Sequence, residues 1–187
     1  MDHYIDIHLL PDPEFPANLL MNALFAKLHR GLVAAGENRI GVSFPQHDDS
    51  RPTLGPLLRL HGEANDLSNL MQSNWLHGMR DHVDPSVISP IPTPKGFRNV
   101  YRVQAKSNPE RLRRRYMKRH QVDPMTAEKA IPDTAAEYLQ LPWVTLGSQS
   151  TGERFRLFIA HGPVAPDATE GTFSHYGLSR RATVPWF

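Results

Sequence analysis

The order in which the hydrophobic period changes along the first half of the chain is the strongest restriction on its fold. Residues 4–10 alternate, with Ile5, Ile7 and Leu9 on one side and Asp6 and His8 on the other, which is the pattern of a half-buried strand. Pro11, Pro13 and Pro16 break that period. From about Ala17 to Ala34 the spacing becomes helical, with Leu20/Met21, Leu24/Phe25, Leu28 and Leu32 as one apolar stripe and Gly36 as the stop. Ile40–Phe44 and Leu57–His61 read as two strands joined by a polar loop. Asn65 or Asp66 is placed to cap a second helix reaching about Gln72, and Val87–Ile91 is the last strand candidate. The order is β-α-β-β-α-β, the split βαβ or ferredoxin-like pattern.

Pro85, Pro90, Pro92 and Pro94, followed by Lys95-Gly96, make a stiff boundary. The expected organisation is α+β, with a ferredoxin-like domain over residues 1–94 and a second α/β domain over 95–187. In the second part Phe97–Gln104 alternates as a strand, and a helix follows over about 108–120. Asp123-Pro124 and Pro132-Asp133 each start a short helix by cap-plus-proline logic. Trp143–Leu146 and Phe155–Ile159 are strands around a Gly-Ser-Gln-Ser-Thr-Gly turn, and Phe173–Leu178 is expected as a last short strand.

The helix over 108–120 carries the charge. Six of the nine positions from Arg111 to Arg119 are cationic: Arg111, Arg113, Arg114, Arg115, Lys118 and Arg119. The whole chain has a net charge of +2, so without them the remainder is +2 − 6 = −4. Ser107 or Asn108 caps this helix, and Ser107 with Glu110 has capping-box spacing. At about 100° per residue Arg111, Arg114, Arg115, Lys118 and Arg119 share a face about 140° wide. Leu112, Tyr116 and Met117 lie off it, and Arg113 snorkels beside them. A balanced surface helix interleaves acids with its cations, but this face has none after Glu110. Like charges at i,i+4 repel by roughly 0.2–0.5 kcal/mol per pair, which favours a polyanionic partner over a merely solvated face.

Other classes are excluded more simply. There is no cysteine, so disulfides, thiolate metal sites and a Cys nucleophile are absent. The ten histidines lack metal-like spacing: His3/His8 and His77/His82 are five apart, which does not put a pair on one helix face. No metal or other cofactor is expected. No apolar run approaches the roughly 20 residues of a membrane span. With Asp2 and Asp6 and no basic stretch, the first residues do not read as a signal peptide, so a cytoplasmic location and no membrane partner are expected.

The 147–152 turn lacks the Gly-Lys-Ser/Thr ending of a phosphate-binding loop, and on composition it is a hairpin loop. His29 and the pair His175-Tyr176 are individually uninformative. With a polyribonucleotide as partner they gain a purpose. RNA carries its own nucleophile, the 2′-OH, and its cleavage needs only a base, groups that align the hydroxyl with the phosphate, and help for the departing 5′-oxygen. His, Ser and Tyr side chains supply those roles.

Several ordered stretches resemble one family. These are residues 102–115, Arg-Val-Gln-Ala-Lys-Ser-Asn-Pro-Glu-Arg-Leu-Arg-Arg-Arg, then Ser148-Gln149-Ser150-Thr151-Gly152, Phe155-Arg156-Leu157-Phe158, Tyr176-Gly177-Leu178-Ser179 and Pro185-Trp186-Phe187. Together they resemble the CRISPR RNA-processing endoribonucleases of type I-F systems. The resemblance implies a metal-independent enzyme that cuts each repeat of a precursor transcript at the foot of a hairpin. It would give 5′-hydroxyl and 2′,3′-cyclic phosphate ends. His29 would transfer protons, Ser148 would hold the 2′-OH and Tyr176 would orient the site. Arg102 and Gln104 would read base edges, Phe155 would stack under the terminal pair, and Gln149 and Ser150 would contact RNA. Arg111, Arg114, Arg115, Lys118, Arg119 and His120 would line the major groove. Lys118 stands where an arginine is expected, which keeps a phosphate contact but not bidentate recognition. Implied partners are the repeat hairpin, the mature CRISPR RNA that the enzyme retains, and the other subunits of the type I-F surveillance complex.

The A-form major groove is deep and narrow, but a short stem leaves it open at its ends. Two other classes compete with this reading. One is a hairpin-binding subunit without turnover. The other is a DNA-binding protein using the basic helix, which would leave Phe155 and the serine-rich loop without a role.

Overall fold

The computed structural model describes residues 1–36, 38–104, 109–132, 139–147 and 152–187, apart from the side chain of Arg111. By packing, the chain forms two compact units: Met1–Val103 with Leu141–Phe187, and Gln104–Gln140. The sequence junction near 92–96 lies inside the first unit.

In the first unit, β1 (His3–Leu9), α1 (Ala17–Ala35), β2 (Gly41–Ser43), β3 (Leu57–Gly62), α2 (Ala64–Gln72) and β4 (Val83–Pro85) follow one another. The sheet order is β2-β3-β1-β4, and each adjacent pair is antiparallel. The first βαβ unit is therefore split by β3 and the second by β1. The last strand is not Val87–Ile91. It lies earlier, where Leu9 pairs with Val83 and Ile7 with Pro85, and β5 (Ser89–Pro90) only brackets the start of β1. Pro85 is tolerated because β4 is an edge strand.

The anticipated stripe of α1 is its buried face: Leu20, Met21, Leu24, Phe25, Leu28 and Leu32 are all covered. Gly36 ends the helix in the left-handed region at φ 67°, where glycine bears no Cβ penalty, and its N–H meets the carbonyls of Leu32 and Val33. Neither Asn65 nor Asp66 caps α2. Glu63 holds the N-cap position without a side-chain hydrogen bond, and Asp66 falls in the first turn, where it suits the positive helix end. Strand β3 is buried along its whole length, including Arg59 and His61. Asp6 does not face open solvent; it forms a bidentate pair with Arg59 directly across the ladder, at 2.6 and 2.8 Å.

The strand expected over 97–104 is divided. β6 (Gly96–Arg98) pairs with β10 (Val184–Trp186), while β7 (Val100–Val103) pairs with β9 (Arg154–His161), which also pairs with β8 (Trp143–Gly147). Asn99 stands at the break, and its carbonyl accepts from Gly162 N while its side chain donates to the Arg180 carbonyl. Val100, Val144, Leu146, Leu157 and Ile159 of the three-stranded sheet join the same hydrophobic core as α1 and the first sheet.

The second unit holds α3 (Pro109–His120) and α4 (Pro124–Ala130). Asp123 caps α4 as expected, accepting from Thr126 N at 3.0 Å. Leu112, Tyr116 and Met117 are half-buried, whereas Arg114, Arg115, Lys118, Arg119 and His120 are exposed. Arg113 points the other way and donates from Nε to the Ile131 carbonyl at 2.7 Å, so it ties this unit together. The anticipated caps Ser107 and Asn108, and the helix expected after Pro132, lie outside the described residues.

Candidate active site

His29 sits on α1, one residue past the buried Leu28 and four past the buried Phe25. Its ring is therefore at the rim of the apolar stripe, half-buried. Two contacts fix it. The ring lies flat on Tyr176, with centroids 4.0 Å apart and planes 12° apart. Its Nδ1 is 2.9 Å from the backbone carbonyl oxygen of His175. A carbonyl only accepts, so Nδ1 carries a proton, and Nε2 is the ring nitrogen left for proton exchange. Behind Tyr176, the Phe25 ring lies nearly parallel to it at 6.3 Å, and Phe44 follows at 6.0 Å from Phe25.

The segment that grips His29 is a turn and not the strand expected over Phe173–Leu178. Ser174 N donates to the Leu178 carbonyl and Gly177 N to that of Ser174, while Val42 N donates to Gly177 O at 2.9 Å. Gly177 adopts φ 68°. Only glycine takes that conformation freely, so the segment from Phe173 to Leu178 closes on itself instead of extending. The turn thereby directs the His175 carbonyl and the Tyr176 ring at α1.

A tie that the sequence reading missed joins α1 to the three-stranded sheet. Asn22 Oδ1 accepts from Thr145 N on β8 at 2.8 Å. β8 is an edge strand, so this backbone N–H has no ladder partner of its own. Asn22 precedes His29 by seven residues and shares its face of the helix. A polar residue inside the apolar stripe was the available signal. β8 ends at Gly147, directly before Ser148. Ser148, Gln149 and Ser150, with the rest of the turn around them, lie outside the described residues.

Arg102 and Phe155 are brought together. Arg102 pairs with Ile159, which puts it on the same sheet face as Phe155, and its guanidinium stands 5.8 Å from the Phe155 ring centre. Its Nε is buried with no hydrogen-bond partner among the described residues. Gln104 is exposed one residue past the end of β7, so the strand geometry expected to align it with Arg102 stops short of it. On α3, His120 rests against Tyr116 with ring centres 4.3 Å apart.

The sequence model of a family described as CRISPR-associated protein (Cas_Csy4) matches residues 4–187. The chain belongs to the Cas_Csy4 family. Like it over the full 187 residues of both chains are two proteins named CRISPR-associated endonuclease Cas6/Csy4. One, from Pseudomonas aeruginosa (strain UCBPP-PA14), is 58% identical, and the other, from Escherichia coli (strain UTI89 / UPEC), is 46% identical. The family resemblance read from residues 102–115, 148–152, 155–158, 176–179 and 185–187 is thus borne out. No helix among the described residues of this Cas_Csy4 member is long and apolar enough to cross a membrane.

Proposed function

We propose that this chain is a metal-independent endoribonuclease that cleaves precursor CRISPR transcripts at the base of the repeat hairpin. The observation that carries the reading is the setting of His29: Nδ1 donates to a backbone carbonyl and Tyr176 backs the ring, which leaves Nε2 as the nitrogen open to proton transfer. In the reaction the 2′-oxygen bonds to the adjacent phosphorus and the bond from phosphorus to the 5′-oxygen breaks. The proton leaves the 2′-OH and one is delivered to the 5′-oxygen, giving 2′,3′-cyclic phosphate and 5′-hydroxyl ends. His29 Nε2 is the atom through which a proton moves. Ser148, following the strand that Asn22 ties to α1, holds the attacking hydroxyl, and Tyr176 orients the ring.

Binding in this reading is divided between residues 1–94, a ferredoxin-like domain bearing His29, and residues 95–187. Arg102 and Gln104 read base edges at the foot of the stem, and the unpartnered Nε of Arg102 is a donor in want of an acceptor. Phe155 stacks under the closing pair, Gln149 and Ser150 contact the backbone, and Arg111, Arg114, Arg115, Lys118, Arg119 and His120 follow the phosphates of the major groove. The product hairpin stays bound, and the loaded protein joins the other subunits of a type I-F complex in the cytoplasm.

The test is single-turnover cleavage of a labelled repeat hairpin in EDTA with end-group analysis. The reading requires cyclic phosphate ends. A substrate with deoxyribose just 5′ of the cut should bind but remain intact. His29→Ala should lose roughly 10²–10⁴ in rate at unchanged affinity. Cleavage of the deoxy substrate at the normal rate would overturn 2′-OH attack.

A further inference from the structure

The outer face of the three-stranded sheet has no part in the reading above. The ladders settle which residues occupy it. Thr145 pairs with Arg156, Gly147 with Arg154, Trp143 with Phe158 and Tyr101 with Ala160, so Arg154, Arg156, Trp143 and Tyr101 all point away from the face that carries Phe155. Arg154 and Arg156 are exposed, and Trp143, at 36% exposure, is among the large apolar side chains that remain open. The Arg156 guanidinium lies 4.8 Å from the Trp143 ring centre. At the other end of the face the Arg180 guanidinium lies 4.9 Å from the ring centre of Tyr101, with one nitrogen donating to the Arg102 carbonyl.

We propose that this face, centred on Trp143 and Arg154, binds the single-stranded RNA that flanks the repeat hairpin. Rings interleaved with guanidiniums are the chemistry of a sequence-tolerant single-strand platform, in which bases stack on the rings and cations follow the phosphates. Arg154 and Arg156 on this sheet face, with Arg180 reaching Tyr101 from a loop, complement a polyanion, whereas a protein partner of ordinary composition would not need that density of positive charge. β8 is the edge of the sheet, so RNA leaving the foot of the stem at Phe155 turns one strand edge to arrive at Trp143. The inference rests on the hairpin-cleaving reading for its geometry, but the surface is separate from the cleavage site.

The test compares three fluorescently labelled RNAs: the bare hairpin, the hairpin with single-stranded extensions on both sides, and the extension alone. The wild-type protein should bind the extended hairpin more tightly than the bare one. Trp143→Ala should remove that gain, roughly 5- to 150-fold for one stacked base, while Trp143→Phe retains most of it. Binding and cleavage of the bare hairpin should be unaffected by either substitution. Arg154→Ala, at an exposed position, should reduce the salt dependence for the extended RNA by about 0.7 in log–log slope and leave that for the bare hairpin unchanged, which keeps the test open if Trp143→Ala fails to fold. Equal wild-type affinity for bare and extended hairpins, or a gain that survives both Trp143→Ala and Arg154→Ala, overturns the platform. A bare hairpin cut normally with no gain from extensions sinks the platform alone. An uncut hairpin with an extension still held through Trp143 sinks the cleavage reading alone.

Discussion

Gly177→Ala tests whether the turn positions His29 for the proposed proton transfer. Gly177 lies at φ 68°, where an L residue costs roughly 1–2 kcal/mol. A Cβ there would stand 2.5 Å from Val42 Cγ1, and Val42 is fully buried. Overpacking of this kind costs about 1–3 kcal/mol, so the substitution should destabilise the fold by about 2–5 kcal/mol. Moving the turn also moves the His175 carbonyl and the Tyr176 ring away from His29. Single-turnover cleavage should therefore fall at least about tenfold, bounded by the roughly 10⁴ of complete loss of acid–base catalysis. The assay is urea unfolding together with cleavage at saturating protein, under conditions where the variant is folded. Val42→Ala separates the two causes, since the clash exists only when both side chains are present. A double-mutant cycle should return a coupling of about 1–3 kcal/mol, with the backbone cost remaining. Wild-type stability and rate in Gly177→Ala would refute the argument, and a zero coupling would refute its steric half.

Asn22→Ala leaves the Thr145 N–H without its acceptor and should cost about 1–3 kcal/mol in urea unfolding; it should also slow cleavage more than it weakens hairpin binding, and an equal loss in both would remove its positioning role. Arg102→Ala should relax preference at the closing pair by about 1–3 kcal/mol, whereas Arg115→Ala should weaken all stems alike and flatten the salt slope by roughly 0.7–0.9, as measured with altered stems at two salt concentrations. Burial pushes His61 down to about 3 and His161 down to about 2, the latter with help from His47 and Arg98. Arg59 faces His61, and Asp49 lies 4.0 Å from His47. The unfolded chain binds these protons near pH 6.5 and the folded one does not, so stability is complete above that value and falls as pH drops toward about 3. Between pH 6.5 and 5 the loss should reach about 3 kcal/mol for the two together, and His161→Gln should roughly halve it. Asp48 and Asp123, held low by hydrogen bonds from Ser50 and Thr126, add their share only near and below 3.8. A flat stability profile from pH 6.5 to 5 would count against the buried histidines.

Local pattern determined much of this protein. The stripe from Leu20 to Leu32 specified which face of α1 is buried, because that face repeats at the helical period. Asp123 followed by Pro124 specified a helix start, because a carboxylate cap and a missing N–H both suit the first turn. The unrelieved cations from Arg111 to Arg119 favour a polyanionic partner for α3, and the resemblance carried by the ordered motifs implies roles for His29 and Tyr176. Tertiary structure decided where those residues meet. His29 and His175 are 146 residues apart, and Asn22 and Thr145 are 123 apart. Hydrophobic periodicity states that a face is buried but not what it is buried against, so neither contact could be read from it. The same limit explains the errors. Phe173 and Leu178 are both buried, but Gly177 turns the chain between them. Residues 96–103 keep one alternation yet serve two sheets, because Asn99 hydrogen-bonds to Gly162 and Arg180, segments that arrive only when the chain has folded.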